Sequence, residues 1–197
     1  MDKLVKALLT GLWVLSAFAS RPALAMTPAE QLQGTVQQVI NVVKSPVPSE
    51  AQRKELLRET LMPAFDWVEM AKQALGKNWS AAAGREDEFI TAFAEFLGNS
   101  YAGTIGSYKD EKILFIRESI DKDQAQVSTK IIPAKGDPTA VNYRLHRVRG
   151  EWKIYDVVVE DVSLVVNFRS QFSRILAKGT FDDLLRELKT RELKNRN

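Results

Sequence analysis

The sequence predicts a domain of the α+β class, and three observations support that prediction. Up to about residue 105, apolar residues recur at spacings of three and four, which is typical of amphipathic helices. Between residues 112 and 160, apolar and polar residues alternate, as they do in strands with one buried face. From residue 164 the helical spacing returns. Helices, then strands joined by short turns, then helices again are typical of α+β domains.

The first 25 residues have the pattern of a secretory signal peptide. Lys3 and Lys6 precede a short apolar run, and Ala23-Leu24-Ala25 matches a cleavage site. The apolar run is too short to span a bilayer comfortably. We therefore expect a signal peptide over residues 1–25 and one exported, periplasmic domain over residues 26–197.

Composition excludes several classes of protein. The sequence contains no cysteine, so disulfides, a lipid anchor on cysteine and thiolate metal sites are ruled out. Lys3, Lys6 and Arg21 account for most of the formal net charge of +3, and nothing in the rest of the chain indicates a nucleic-acid-binding surface.

Three helices are predicted before residue 80 from their caps. Thr27-Pro28-Ala29-Glu30 is a capping box with proline at the first helical position, and Pro46 ends the helix that it starts. Ser49 starts a second helix that runs to Leu61. Asp66 caps a third, and Gly76 ends it.

A long helix is predicted from about Arg85 to Ile105, and it is the most aromatic helix of the chain. Its inward face is expected to carry six large side chains: Phe89, Phe93, Phe96, Leu97, Tyr101 and Ile105.

Four strands joined by short turns are predicted to form an antiparallel meander. Their expected ranges are 112–120, 124–133, 139–149 and 152–160. In the third strand, Val141, Tyr143 and Leu145 alternate with polar residues that include His146. We therefore expect one face of the sheet to be wet, with His146 exposed on it, and the other face to contact helices.

Two helices complete the prediction. The first spans 164–177 and buries Val165, Phe168 and Phe172, and the second begins after Thr180 and runs to about Leu193.

Catalytic chemistry is not indicated. His146 is the only histidine, and Ser163 lacks the Gly-x-Ser-x-Gly context of a hydrolase nucleophile. The acidic run Glu86-Asp87-Glu88 lies where a helix N-terminus favours carboxylates, so a helix start explains it better than a metal site does.

The chain also has a surplus of large apolar side chains. On composition alone, an ordinary filled core explains that surplus better than a ligand pocket.

The segment 150–172 resembles the signature of the MlaC family, also called toluene-tolerance or auxiliary transport proteins. Its parts are a W-x-x-Y-D motif from Trp152 to Asp156, an E-x-V-S motif from Glu160 to Ser163, and an Arg-Ser-x-Phe segment that ends at Phe172. Several upstream residues also follow the order of the family: Phe65-Asp66, Met70-Ala71, Leu75-Gly76, Trp79, Glu88-Phe89, Phe93 and Tyr101. The resemblance covers roughly residues 30–190.

The resemblance implies a helical layer wrapped around a bent antiparallel sheet of four or more strands, with an apolar lipid cavity between them. It implies no enzyme activity and no cofactor, only phospholipid as cargo. The implied partners are an inner-membrane ABC transporter with an MCE-domain subunit and an outer-membrane lipoprotein complex. A monomer is expected. One position departs from the family, which usually has glycine where this chain has Asp161, although aspartate tolerates a left-handed turn better than most residues.

The resemblance implies a lipid cavity, and the residues expected to point inward from each helix and strand are the ones expected to line it. They come from the long helix, the four strands and the following helix: Phe89, Phe93, Leu97, Tyr101, Ile113, Phe115, Val127, Val141, Tyr143, Ile154, Val157, Leu164 and Phe168. Arg144, Arg147 and Arg169 are considered for the mouth of the pocket, where they would meet headgroups or partner acids.

Three alternatives stay open on sequence grounds. The cargo could be another lipid, such as a hopanoid. A periplasmic α+β hydrolase would require a polar pocket. A structural or chaperone-like domain would have a solid core and no cavity.

Overall fold

The structure is a computed structural model that describes residues 26–47, 49–108 and 110–196. The predicted signal peptide, residues 1–25, lies outside the described residues. Six α-helices are described: α1 (Pro28–Lys44), α2 (Glu50–Leu61), α3 (Trp67–Leu75), α4 (Glu86–Gly106), α5 (Leu164–Leu176) and α6 (Phe181–Arg196). None of the described helices is long and apolar enough to cross a bilayer.

The helix starts follow the predicted caps. The Thr27 hydroxyl accepts the Glu30 N–H while the Glu30 carboxylate accepts the Thr27 N–H, which completes the capping box of α1. The Asp66 carboxylate accepts the Glu69 N–H at the start of α3, and Gly76 ends that helix with a positive φ of 54°. These local signals explain why the predicted and observed starts of α1 and α3 agree.

The strands form one antiparallel sheet in the order β1-β2-β3-β4-β5. Their bounds are β1 (Lys112–Asp121), β2 (Gln124–Ile132), β3 (Thr139–Val148), β4 (Glu151–Val159) and β5 (Val162–Ser163). The meander and the α+β class are confirmed, and β5 is an addition to the four predicted strands. The turn between β4 and β5 has positive φ at Glu160 and Asp161, so Asp161 does adopt the left-handed conformation that a glycine would adopt easily.

The prediction of one wet sheet face is wrong for the β4 side of the sheet. One face, here called the inner face, carries Val127, Tyr143 and Ile154 and packs against α1. The opposite, outer face is covered at β4 by α5, where Asp156 and Val158 are buried. At β1 and β2 the outer face is open. The alternation of apolar and polar residues shows which side chains share a face of the sheet. It does not show that a helix covers the face that carries a polar residue such as Asp156.

Two apolar clusters result. The helical cluster unites α3, α4, α5 and α6, and the sheet cluster lies between the inner face and α1. Phe65 packs against both clusters and pairs with Ile154 at the edge of β4.

Candidate functional site

Five of the expected lipid-binding residues lie in or against the helical cluster rather than beside the sheet. Phe89, Phe93, Leu97 and Phe168 are members of this cluster, and Leu164 packs against it. Ring centroids of Phe93 lie 5.8 Å from Phe89 and 5.5 Å from Phe168, in stacked and edge-to-face geometry. These are the separations of close-packed aromatic cores.

Little empty space remains next to these rings. A void bordered by Phe96, Phe168 and Leu184 has a volume of about 10 Å³, which is room for at most one water molecule. An acyl chain cannot enter such a space. The helical cluster therefore has the properties of a filled core.

The inner face of the sheet is closed at one end. Leu145 and Ile154, opposite each other on β3 and β4, are buried together with Trp152 and with Leu32 of α1. The side-chain amide of Gln31 donates to the Trp152 carbonyl at 2.5 Å, and its oxygen accepts the Trp152 N–H at 3.0 Å. This pair of bonds fixes the first turns of α1 across β4.

A second bond fixes the start of α1 at the other side of the sheet. The Glu118 carboxylate on β1 accepts the Ala29 N–H at 2.6 Å, and a carboxylate at a helix N-terminus is also favoured by the helix dipole. The N-terminal half of α1 thus bridges the sheet from β1 to β4.

The other end of the inner face is more open. Ile113, Phe115 and Val157 are only partly buried, and Val159, opposite Val141, is 42% exposed. Val141 itself is buried, yet it belongs to neither apolar cluster. Apolar side chains on a sheet face that stay partly accessible indicate open space above them.

The last two turns of α1 continue this open region. Its apolar side chains are all partly exposed beyond Leu32: Val36, Val39, Ile40 and Val43. The α1 helix contacts α2 as well as β1 and β2, and Val36 of this stripe packs against the sheet cluster. Tyr101, the α4 residue that was expected to point inward, is 41% exposed.

A short polar chain lies within the inner face. The buried Thr129 hydroxyl donates to the Val141 carbonyl at 3.0 Å, and the Tyr143 phenol lies beside it. Burial raises the pKa of the Tyr143 phenol above its ordinary value, and the neighbouring Thr129 hydroxyl offsets part of that rise. Within the described residues, every fully buried side-chain N or O atom has a hydrogen-bond partner.

Sequence reasoning missed the role of Asp156, although the W-x-x-Y-D motif contains it. Asp156 is fully buried, and its carboxylate accepts bonds from the Arg144 guanidinium at 3.0 Å, the Ser163 hydroxyl at 2.7 Å and the Val165 N–H at 3.2 Å. It therefore ties β3, β5 and the start of α5 to β4. Ser163 in turn caps α5 by accepting the Val166 N–H.

We expect Asp156→Ala to lower the free energy of unfolding by about 2–4 kcal/mol, because the buried Val165 N–H and the Ser163 hydroxyl lose their acceptor. Urea unfolding of lipid-free protein, followed by circular dichroism, measures the change. Asp87→Ala on the exposed face of α4 is the matched control and should change it by less than about 1 kcal/mol, since only a carboxylate near the helix N-terminus is lost. Equal effects of the two substitutions would contradict this role of Asp156.

His146 is not the exposed residue that was expected. Its Nε2 lies 2.8 Å from the Asp66 carboxylate, and its side chain is 23% exposed beside the ring of Tyr155. Asp66 also caps α3, so the pair links β3 to the start of a helix. The sequence separation of 80 residues explains why no local pattern could indicate the contact.

The three arginines considered for the pocket mouth all have structural contacts. Arg144 bonds Asp156, Arg147 stacks over the Trp152 ring at 4.7 Å, and Arg169 donates to the Gln73 carbonyl at 2.6 Å. Within the described residues, no group of three or more acidic or histidine side chains could hold a metal ion.

The chain is similar in sequence to two proteins of described function. The intermembrane phospholipid transport system binding protein MlaC of Haemophilus influenzae is 26% identical over 141 residues, which cover 68% of this chain and 66% of that protein, just under two thirds of its length. The toluene tolerance protein ttg2D of Pseudomonas putida is 26% identical over 190 residues, covering 91% of this chain and 87% of that protein.

The fold has a solved counterpart in the phospholipid-binding protein from Ralstonia solanacearum in complex with a phospholipid. The TM-score is 0.75, with 84% of this chain and 97% of that chain covered, and at 20% identity the likeness establishes the fold. A family model described as MlaC protein matches residues 33–190. Because that match spans most of the chain, the chain belongs to the MlaC protein family.

Proposed function

We propose that this protein is a periplasmic phospholipid carrier that shuttles lipid between an outer-membrane lipoprotein complex and an inner-membrane ABC transporter with an MCE-domain subunit. The phospholipid-transport and phospholipid-binding descriptions of the similar proteins support this proposal. The observation on which it rests is the partly exposed apolar surface formed by the inner face of the sheet and α1.

The physical requirement for a carrier is shielding of acyl chains from water. A chain of about 16 carbons costs on the order of 10 kcal/mol to expose, at about 0.8 kcal/mol per methylene. A partly accessible apolar surface with its polar atoms already bonded to each other is suited to provide that shielding. The Thr129–Val141 bond meets the second condition for the buried hydroxyl of the inner face.

We assign the pocket to the open end of the inner face. The lining is formed from β1, β3, β4 and α1: Ile113, Phe115, Val141, Tyr143, Val157, Val159, Val36, Val39, Ile40 and Val43. Val127 and Ile154 form its closed end, and Tyr101 contributes to the rim. Phe89, Phe93, Leu97, Leu164 and Phe168 are assigned to the core that supports the pocket.

A hydrolase is less well supported. Its base would be His146, which is engaged by the helix-capping Asp66, and its nucleophile would be Ser163, whose hydroxyl bonds Asp156 and caps α5. Both sets of contacts stabilise the fold and present no free nucleophile beside a base. We therefore propose a binding protein without enzyme activity or cofactor.

The test is organic extraction of the full chain purified from the periplasm of its host, followed by lipid mass spectrometry. We expect stoichiometric phospholipid. Recovery of a hopanoid or another lipid would mean that the protein is a carrier with a different cargo. Absence of any lipid, together with hydrolysis of an ester substrate, would overturn the proposal.

A further inference from the structure

The outer face of β1 and β2 carries an exposed surface that the carrier function does not use. Leu114 is 44% exposed and Ile116 is 55% exposed, and Lys112, Arg117 and Lys130 are also exposed around them. Leu114 pairs directly with Lys130 across the two strands, and Arg117 pairs with Ser128. We name this set of five residues the β1–β2 basic surface.

The charge of this surface is not neutralised locally. Within the described part of the chain, Lys112, Arg117 and Lys130 form no ion pair. Glu118, the acidic residue in the middle of β1, bonds the Ala29 N–H on the inner face instead. Asp121 lies at the far end of β1, beside the turn to β2. The surface is therefore cationic although the net charge of the whole chain is small.

We propose that the β1–β2 basic surface docks the protein on anionic bilayer surfaces. Basic side chains around exposed aliphatic ones match an anionic interface, where the charges attract lipid headgroups and the aliphatic groups enter the boundary with the acyl chains. This inference goes beyond lipid carriage, because a protein can dock without carrying lipid and can carry lipid without docking.

The composition of the surface favours a bilayer over an acidic protein as the occupant. The buried centres of protein interfaces are rich in aromatic residues and poor in lysine. The β1–β2 basic surface contains two lysines and no aromatic ring, because Phe115 of β1 lies on the inner face.

The test is sedimentation of the full chain with vesicles of phosphatidylcholine alone or of phosphatidylcholine with phosphatidylglycerol. We expect binding only to the vesicles with phosphatidylglycerol, and loss of that binding at high salt, because exposed charges are then screened. Each basic residue near an anionic surface strengthens binding about fivefold, so Lys112→Gln, Arg117→Gln and Lys130→Gln together should weaken it by roughly a hundredfold. Leu114→Ser with Ile116→Ser should weaken it as well.

A control variant removes the same number of charges elsewhere. Lys77, Arg174 and Lys178 are exposed on other elements, and their replacement by glutamine should leave vesicle binding intact. An equal loss of vesicle binding in the control variant would show that the effect depends only on net charge, and it would overturn the proposal. Absence of vesicle binding by the wild type would also overturn it and would favour an acidic protein as the occupant. Lipid recovery, measured in parallel, should be unchanged in the β1–β2 variant, so failure of docking and failure of carriage are distinguished.

Discussion

Phe93→Ala is expected to lower the free energy of unfolding by about 3–5 kcal/mol, the cost of removing a large aromatic side chain from a packed core. Phe93 is fully buried against Phe89, Phe168 and Phe172, with ring centroids 5.5 to 5.8 Å apart. The matched change Phe115→Ala on the inner face should cost less than half as much, because that side chain is only partly buried.

Urea unfolding of lipid-free protein is the appropriate measurement, since bound cargo would stabilise the native state by mass action and mask the difference. The two phenylalanines have been assigned to core and pocket respectively. If Phe93→Ala costs no more than Phe115→Ala, the helical cluster is not solid, and the original expectation that Phe89 and Phe93 line the lipid site regains its basis.

Val157→Trp is expected to weaken the binding of phospholipid about tenfold, a loss of about 1.4 kcal/mol in binding free energy, and so to lower the lipid recovered per mole of protein. Val157 lies opposite Tyr143 on the inner face and is partly buried, so a larger ring there occupies the space assigned to an acyl chain. A solid core would instead lose about 1–3 kcal/mol of stability from such overpacking.

Val166→Trp is the matched control, because it makes the same substitution at a position on α5 that is 46% exposed. It should leave both lipid recovery and thermal unfolding unchanged. A Val157→Trp protein that unfolds far below the wild type, or that still carries a full load of lipid, would contradict the assignment of the pocket to the open end of the inner face.

The elements of the fold could be predicted because their signals are local. The Thr27 capping box, the Asp66 cap and the glycine at position 76 each fix a helix end within four residues of sequence. Strand faces follow from alternation, and Val127, Tyr143 and Ile154 do share one face. Contacts between distant elements leave no such signal, which is why the His146–Asp66 pair was missed.

The candidate site could be predicted only in part, for a related physical reason. Periodicity shows that Phe93 on α4 points inward, but not whether its neighbour is α5 or the sheet. The structure places it against α5 in the helical cluster. The orientation of strand residues is less ambiguous, because side chains such as Phe115 and Val157 can point only to one of the two faces of the sheet. Whether these side chains contact lipid stays a prediction.

The bulge in β1 has a consequence for how the protein behaves among copies of itself. β1 is the outermost strand on its side of the sheet, and ten residues of unpaired edge would offer a template for another chain. The register shift between Phe115 and Arg117 interrupts the regular row of N–H and C=O groups, and Arg117 adds a charge at the same place. Strand-by-strand stacking into fibrils is thereby disfavoured along this edge of the sheet.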